Sequence, residues 1–392
     1  MKSKKKLWVA PVACLLIFLA MVNQGCNKLE GPGSVAINQA DAARQGLRNS
    51  VVNLVSDTAE YSPLHLDSNL VNAWGIAFGP TGGIWVSAAD KGVSTIYDKN
   101  GNTLRAPVAI PFGSDPNGGE PTGQVFNSTT SFVIPSTSQT SRFIFATENG
   151  TIAAWASGNS AVTVADRSAQ EAVYKGIEMI NNAGTMMLAA TDFHNGHVDV
   201  FDANFNFVSS SMFTDPNIPA GYAPFNIRKL GSNIFVTYAK QLGPDNEDDE
   251  AGPGNGYVSI FNADGSFNRR FTSQGALNSP WGIEMLKLNH GFNGDGDSQD
   301  ENEDADTDDD DSTAVPIVLI GNFGDGHINQ YRMDGTLVGP LMSNGAAIEI
   351  EGLWAISYAP QGNTAYRDVR NRIYFTAGPD DEEHGVFGYI GR

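Results

Sequence analysis

One unit recurs six times along the chain, and that recurrence limits the fold more than any other feature. Each copy opens on a short strand with an aromatic residue or lysine before a Gly-Ile or similar pair. A second strand ending in small residues follows, then a polar turn with glycine, then a third strand ending in an aromatic. The openings are Asn72–Ala77, Thr122–Phe126, Lys175–Glu178, Pro224–Ile227, Pro280–Ile283 and Gly352–Ile356. The matching second strands begin near Ile84, Phe143, Met187, Ile234, Ile317 and Ile373. These runs alternate or are continuously apolar, and Gly, Asn, Asp or Pro bounds them, which marks strands and turns. A period of about 40–50 residues with four strands per unit is that of a propeller blade. The repeats therefore predict an all-β, six-bladed β-propeller of four-stranded blades spanning residues 50–392. Ser50–Ser56 has no repeat of its own and is expected to be the outer strand of the last blade, closing the ring. Trp74, Trp281, Trp354, Phe225 and Tyr97 are expected to pack between blades.

Ahead of the repeats, Lys2, Lys4, Lys5 and Lys6 precede an apolar stretch from Leu7 to Val22. It is short for a membrane span, which needs about 20 residues, and suits a signal peptide. Gly25-Cys26 then resembles the end of a bacterial lipoprotein signal. Residues 1–25 read as a cleaved signal, Cys26 as the acyl acceptor and residues 26–49 as a tether. The expected address is an exported, membrane-anchored position in a bacterial cell envelope, periplasmic or surface-exposed, with the lipid bilayer as partner. The other cysteine, Cys14, would leave with the signal, so no disulfide or cysteine-based zinc site is expected in the mature chain.

The formal net charge of −20 argues against nucleic-acid binding by phosphate neutralisation. Two segments carry most of it. Residues 245–250 hold five acids and residues 295–311 hold eleven, without a Lys or Arg in either. Removing those sixteen takes the charge from −20 to −4, so the body is close to neutral. Both segments lie in insertions, 241–255 and 289–312, and both read as solvated. Within the second, Asp295, Asp297 and Glu301 are candidate calcium ligands. An EF-hand counted from Asp295 would need Gly and Glu where Asp300 and Asp306 stand, so that motif fails.

In a propeller, the loops entering the innermost strands and the loops between second and third strands share one face. That rule brings Asn72, Thr122, Lys175, Asn226, Asn278 and Glu351 toward one channel mouth. Asp90, Glu148, Asp192, His194, Lys240, Asn322, Asp325, Asp380 and His384 come from the second set of loops. The candidate ligand site drawn from both sets is Asn72, Asp90, Glu148, Asp192, His194, Asn226, Asn322, Asp325 and His384. Carboxylates, amides and imidazoles at a mouth suit a cation or a small polar ligand. Turn chemistry explains each residue singly just as well. By the same rule insertion 241–255 lies on the mouth face and 289–312 on the opposite one. The chain has no nucleophile elbow, Walker loop or HExxH motif.

Trp281–Ile283, Gly321–Ile328, Thr376–Gly385, Val236–Gln241 and Asn69–Gly75 resemble an uncharacterised bacterial family of exported β-propeller proteins. The resemblance covers the chain from about Asn53 onward. It implies a six-bladed NHL-like β-propeller and the exported location and carries no catalytic residues with it. The function expected is a monomeric binding module at the envelope for a glycan, peptide or protein. At the level of the fold, the chain is also similar to six-bladed calcium lactonases and gluconolactonases. That likeness implies a second reading, a calcium-dependent hydrolase. Asn72, Glu148, Asn226 and Asn322 would be its metal ligands, and Asp192 or His194 its base.

Overall fold

The computed structural model describes residues 50–288, 315–360 and 362–391. The signal and tether (1–49), Cys26, and insertion 289–312 with Asp295, Asp297 and Glu301 lie outside the described residues.

Six four-stranded antiparallel blades form the fold. Their innermost strands are Ala73–Phe78, Pro121–Phe126, Tyr174–Asn182, Tyr222–Leu230, Pro280–Leu288 and Leu353–Tyr358. Five blades are filled in chain order from the inside outward. The sixth takes three strands from the C-terminal end and its fourth from Ser50–Ser56, which pairs antiparallel with Val386–Gly391. His65–Leu66 then adds to that blade in parallel. The ring closes as the repeats predict, and Leu54 and Val55 are fully buried by it. Among the described residues no helix is long and apolar enough to cross a membrane.

The repeated opening motif has a geometric cause. The pairing of innermost and second strands slips register at this motif in all six blades, for example between Ala73 and Ile76 and between Tyr174 and Ile177. Such a bulge bends the strand and re-aims a side chain. One residue per blade occupies the re-aimed position: Trp74, Thr122, Lys175, Phe225, Trp281 and Trp354. The glycine after it is required by close approach. A Cβ on Gly75 would meet the carbonyl oxygen of Thr122 in the next blade at 2.6 Å. Side chains stitch neighbouring inner strands together: Gln124 donates to the Gly75 carbonyl and Asn226 to the Trp281 carbonyl, each at 2.7 Å.

The expectation that the tryptophans pack between blades is corrected here. Trp74 comes from blade one and Trp281 from blade five, which are not neighbours, yet their ring centroids lie 5.8 Å apart. Trp354 stacks on Trp74 at 3.4 Å and on Phe323 at 3.9 Å, and it contacts Phe225 of blade four. These contacts run across the ring, so the aromatics fill the channel. Tyr97 does sit between blades, stacked on Phe387 of blade six with its hydroxyl on Asp67.

Candidate functional site

Above the aromatic plug, the channel opens into a polar cleft of about 550 Å³ lined by Asn72, Asp90, Glu120, Glu148, Asp381 and Glu382. Its geometry begins with Asn72, whose φ of 50° is left-handed, a setting asparagine tolerates better than most residues. Trp354 Nε1 donates to its Oδ1 at 3.2 Å. Its Nδ2 then points at two carboxyls, Asp90 Oδ1 at 3.2 Å and Glu382 Oε2 at 2.6 Å. The plug and the cleft are thus joined through one amide.

Glu382 reaches this place through an uncommon backbone. Asp380, Asp381 and Glu382 are all left-handed, with φ of 58°, 51° and 71°. Three such residues in a row cost free energy and persist only where their surroundings over-determine them. Here Asp57 holds the loop: it accepts from the Gly385 backbone at 2.9 Å and faces His384 Nδ1 at 2.8 Å. Burial pushes the Glu382 carboxyl up to about 8, with the Glu148 charge adding to it and Lys175 and Asn72 opposing. Burial also raises Asp90 and Glu120, again with help from Glu148.

Lys175 is the one buried cation at the mouth, on the inner strand of blade three. Its ammonium pairs with Glu148 and sits 5.2 Å from the centre of the Trp74 ring. Burial alone would drive its proton off. The Glu148 carboxylate outweighs that and holds its pKa above the ordinary value.

Insertion 241–255 is folded against the mouth, with residues 242–245, 247 and 248 exposed and Asp249 and Glu250 half-buried. Gln241 donates to the carbonyls of Phe193 and His194 at 2.7 and 3.1 Å, and His194 Nδ1 meets the Asp245 carbonyl at 2.9 Å. Gly252 donates to Asn278 Oδ1, and Lys240 pairs with Glu250 at 2.7 Å. This packing buries Asp249 Oδ2, which has no hydrogen-bond partner, and burial raises the carboxyl's pKa. Asp249 and Asp248 both act on the Lys175 charge.

Of the residues expected at the mouth, the structure brings Asn72, Asp90 and Glu148 together, with Lys175 beside them. His194 pins the insertion at the rim. His384 is turned to Asp57, and that hydrogen bond raises its pKa. Asn226 lies within the channel on backbone partners, with its Oδ1 accepting from the Ile227 amide. Asn322 donates to the Ala276 carbonyl and to Asp325, and Asp325 caps the His327 amide. Asp192 caps its own turn and the Val173 amide. Asn72, Glu148, Asn226 and Asn322 therefore do not converge on one point. Glu120, Asp249 and Glu382 join the mouth without having been singled out from the sequence.

No family model matches the chain. It is 32% identical over 360 residues to the uncharacterised protein L690 of Acanthamoeba polyphaga mimivirus, spanning 88% of this chain and 87% of that one. It is 30% identical over 360 residues to the uncharacterised protein R648 of the same virus, spanning 88% and 81%. The chain belongs to the L690 and R648 family. These relatives are viral, which overturns the bacterial family expected from the sequence. Among solved structures the chain is similar to a streptogramin B lyase (TM-score 0.49, 12% identity, 88% of this chain and 97% of that one). A putative gluconolactonase gives a TM-score of 0.48 at 11% identity, covering 88% and 92%. Likeness this distant carries no activity across to the L690 and R648 family.

Proposed function

We propose that this propeller is a binding module whose mouth takes up an organic cation, a primary amine or guanidinium on a small molecule or a basic peptide. The observation that supports it is the charge imbalance in the cleft. Asp90, Glu120, Glu148, Asp249 and Glu382 face a single buried ammonium, Lys175, and four of these carboxyls are raised toward their neutral forms. A guest cation would supply the missing countercharge. The cleft volume falls in the range of about 300–1,000 Å³ typical of small-ligand sites. Its many acceptors suit N–H donors, and charge-assisted hydrogen bonds are the stronger kind.

The probe is spermidine, titrated calorimetrically into the purified protein at pH 7 in buffers of differing ionisation enthalpy. Binding should release protons, because a bound ammonium favours ionised Glu382. Glu382→Gln should remove the buffer dependence. Glu148→Gln should weaken binding by about tenfold or more, the cost of one charged hydrogen bond. Absence of spermidine binding, or tight calcium binding at the mouth in its place, would overturn the reading.

The lipid anchor belongs to the same proposal and rests on the Lys2–Cys26 pattern alone. Cys26→Ser should move the protein from the detergent to the aqueous phase in Triton X-114 partitioning. An unchanged partition would remove the anchor.

A further inference from the structure

Outside the mouth, between blades two and three, Asp192, His197 and Asp199 form the one group among the described residues whose donor atoms could share a metal ion. One atom from each lies within 4.8 Å of the others. Asp192 ends the second strand of blade three, and His197 opens the third strand directly opposite it in register. Asp199 follows two residues later, on the same face of that strand as His197.

We propose that Asp192, His197 and Asp199 bind a divalent first-row transition metal of the zinc class. Four observations support this. First, His197 Nε2 lies 3.0 Å from Asp199 Oδ1 and 3.5 Å from Asp192 Oδ2. A tetrahedral ion with bonds of about 2.0–2.1 Å separates its ligand atoms by about 3.3 Å, so the three already stand at ligand spacing. Second, His197 Nε2 and Asp199 Oδ1 face each other as an ion pair but lack the alignment of a hydrogen bond. The Asp199 side chain is fully buried, and a buried carboxylate oxygen ordinarily has a well-aligned donor.

Third, the other oxygens of both carboxylates are fixed from outside. Asp199 Oδ2 accepts from the Tyr174 hydroxyl at 2.7 Å and Arg167 Nε at 3.3 Å. Asp192 Oδ1 accepts from the Val173 and Asn195 amides, and Oδ2 from the Asn195 side chain at 2.8 Å. Outer partners of this kind orient metal ligands. Fourth, blade five shows the same positions without the acids. Asn322, His327 and Asn329 repeat the spacing, and there both amides converge on the Ala276 carbonyl at 2.8 and 3.0 Å. Neutral amides occupy those positions in that blade, so the scaffold does not require two buried aspartates. The imidazole argues against calcium and magnesium, which take oxygen ligands. Arg167 beside Asp199 disfavours ions held by charge alone.

The test is zinc titration of EDTA-treated protein by calorimetry, with metal content measured after gel filtration. One equivalent should bind. His197→Gln and Asp199→Asn should each weaken binding at least tenfold. His327→Gln in blade five and Glu382→Gln at the mouth should leave it unchanged, so this outcome is separable from the cation reading above. Cobalt-loaded protein should show the intense visible absorption of a tetrahedral site. Sub-stoichiometric binding, or binding indifferent to His197→Gln, would overturn the site. If the variants do not fold, the weak absorption of six-coordinate cobalt in the wild-type protein would overturn it as well.

Discussion

Replacing Trp354 with alanine should destabilise the protein by about 3–5 kcal/mol, the usual cost of deleting a large buried aromatic. The expected fall in melting temperature is roughly 10 °C for a domain of this size. Trp354 is 1% exposed and sits at the centre of the plug, between Trp74 and Phe323. Its loss leaves a cavity that residues from four blades would have to close at once, and rigid strands limit such collapse. The indole N–H also orients Asn72, so the variant should lose spermidine affinity as well as stability. Trp354→Phe keeps most of the volume and should recover more than half of the stability but not the orientation of Asn72. Thermal and urea unfolding of the three proteins would measure this. A loss below about 1 kcal/mol would show that the plug is not close-packed.

The second large effect is on pH dependence. Burial holds the Glu382 carboxyl up at about 8 in the folded protein, against 4.5 for an unburied glutamate. Below 4.5 both folded and unfolded chains hold the proton, and this residue has no effect. Between 4.5 and 8 the unfolded chain ionises and the folded one does not, so the folded state binds more protons. Stability must then fall as pH rises through that window, at up to about 1.4 kcal/mol per unit and to a limit of about 5 kcal/mol. Above 8 the penalty is complete. Glu382→Gln should flatten this limb and make the variant the more stable protein at pH 9. Urea midpoints at pH 5, 7 and 9 test it, and a wild-type protein that gained stability over that range by more than the variant did would refute the assignment.

The ring could be read from the sequence because the bulge recurs in every blade, with glycine after the re-aimed residue in four of them, Gly75, Gly123, Gly176 and Gly282. Its closure could be read because Ser50–Ser56 was a strand without a unit. The direction of Trp74, Trp281 and Trp354 was not legible. A period-2 reading assigns a strand residue to one face of a sheet, and the bulge turns these three out of the sheet altogether. Asn72, Asp90 and Glu148 were legible at the mouth, since they sit where the fold rule places such loops. Glu382 was not, because three successive non-glycine residues in the left-handed region give no compositional sign. Asp249 was hidden for another reason. A run of acids reads as solvated until a partner is known, and the partner, Lys175, is 74 residues away in the chain. Asn226 and Asn322 show the converse: amides at suggestive positions are taken up by backbone carbonyls.

The fourth strand of blade six sets an order of events during synthesis. Ser50 and Gly391 are neighbours in the sheet but 341 residues apart in the chain. The first strand of the ring to be made is therefore the last to find its place. Until Val386–Gly391 has been made, Val51, Val52, Leu54 and Val55 lack their partner strand, and the last blade lacks its outer edge. A nascent chain with an open edge can pair with another chain as readily as with itself. The closure that seals the finished ring thus makes its yield depend on how well the cell guards seven residues for the duration of synthesis.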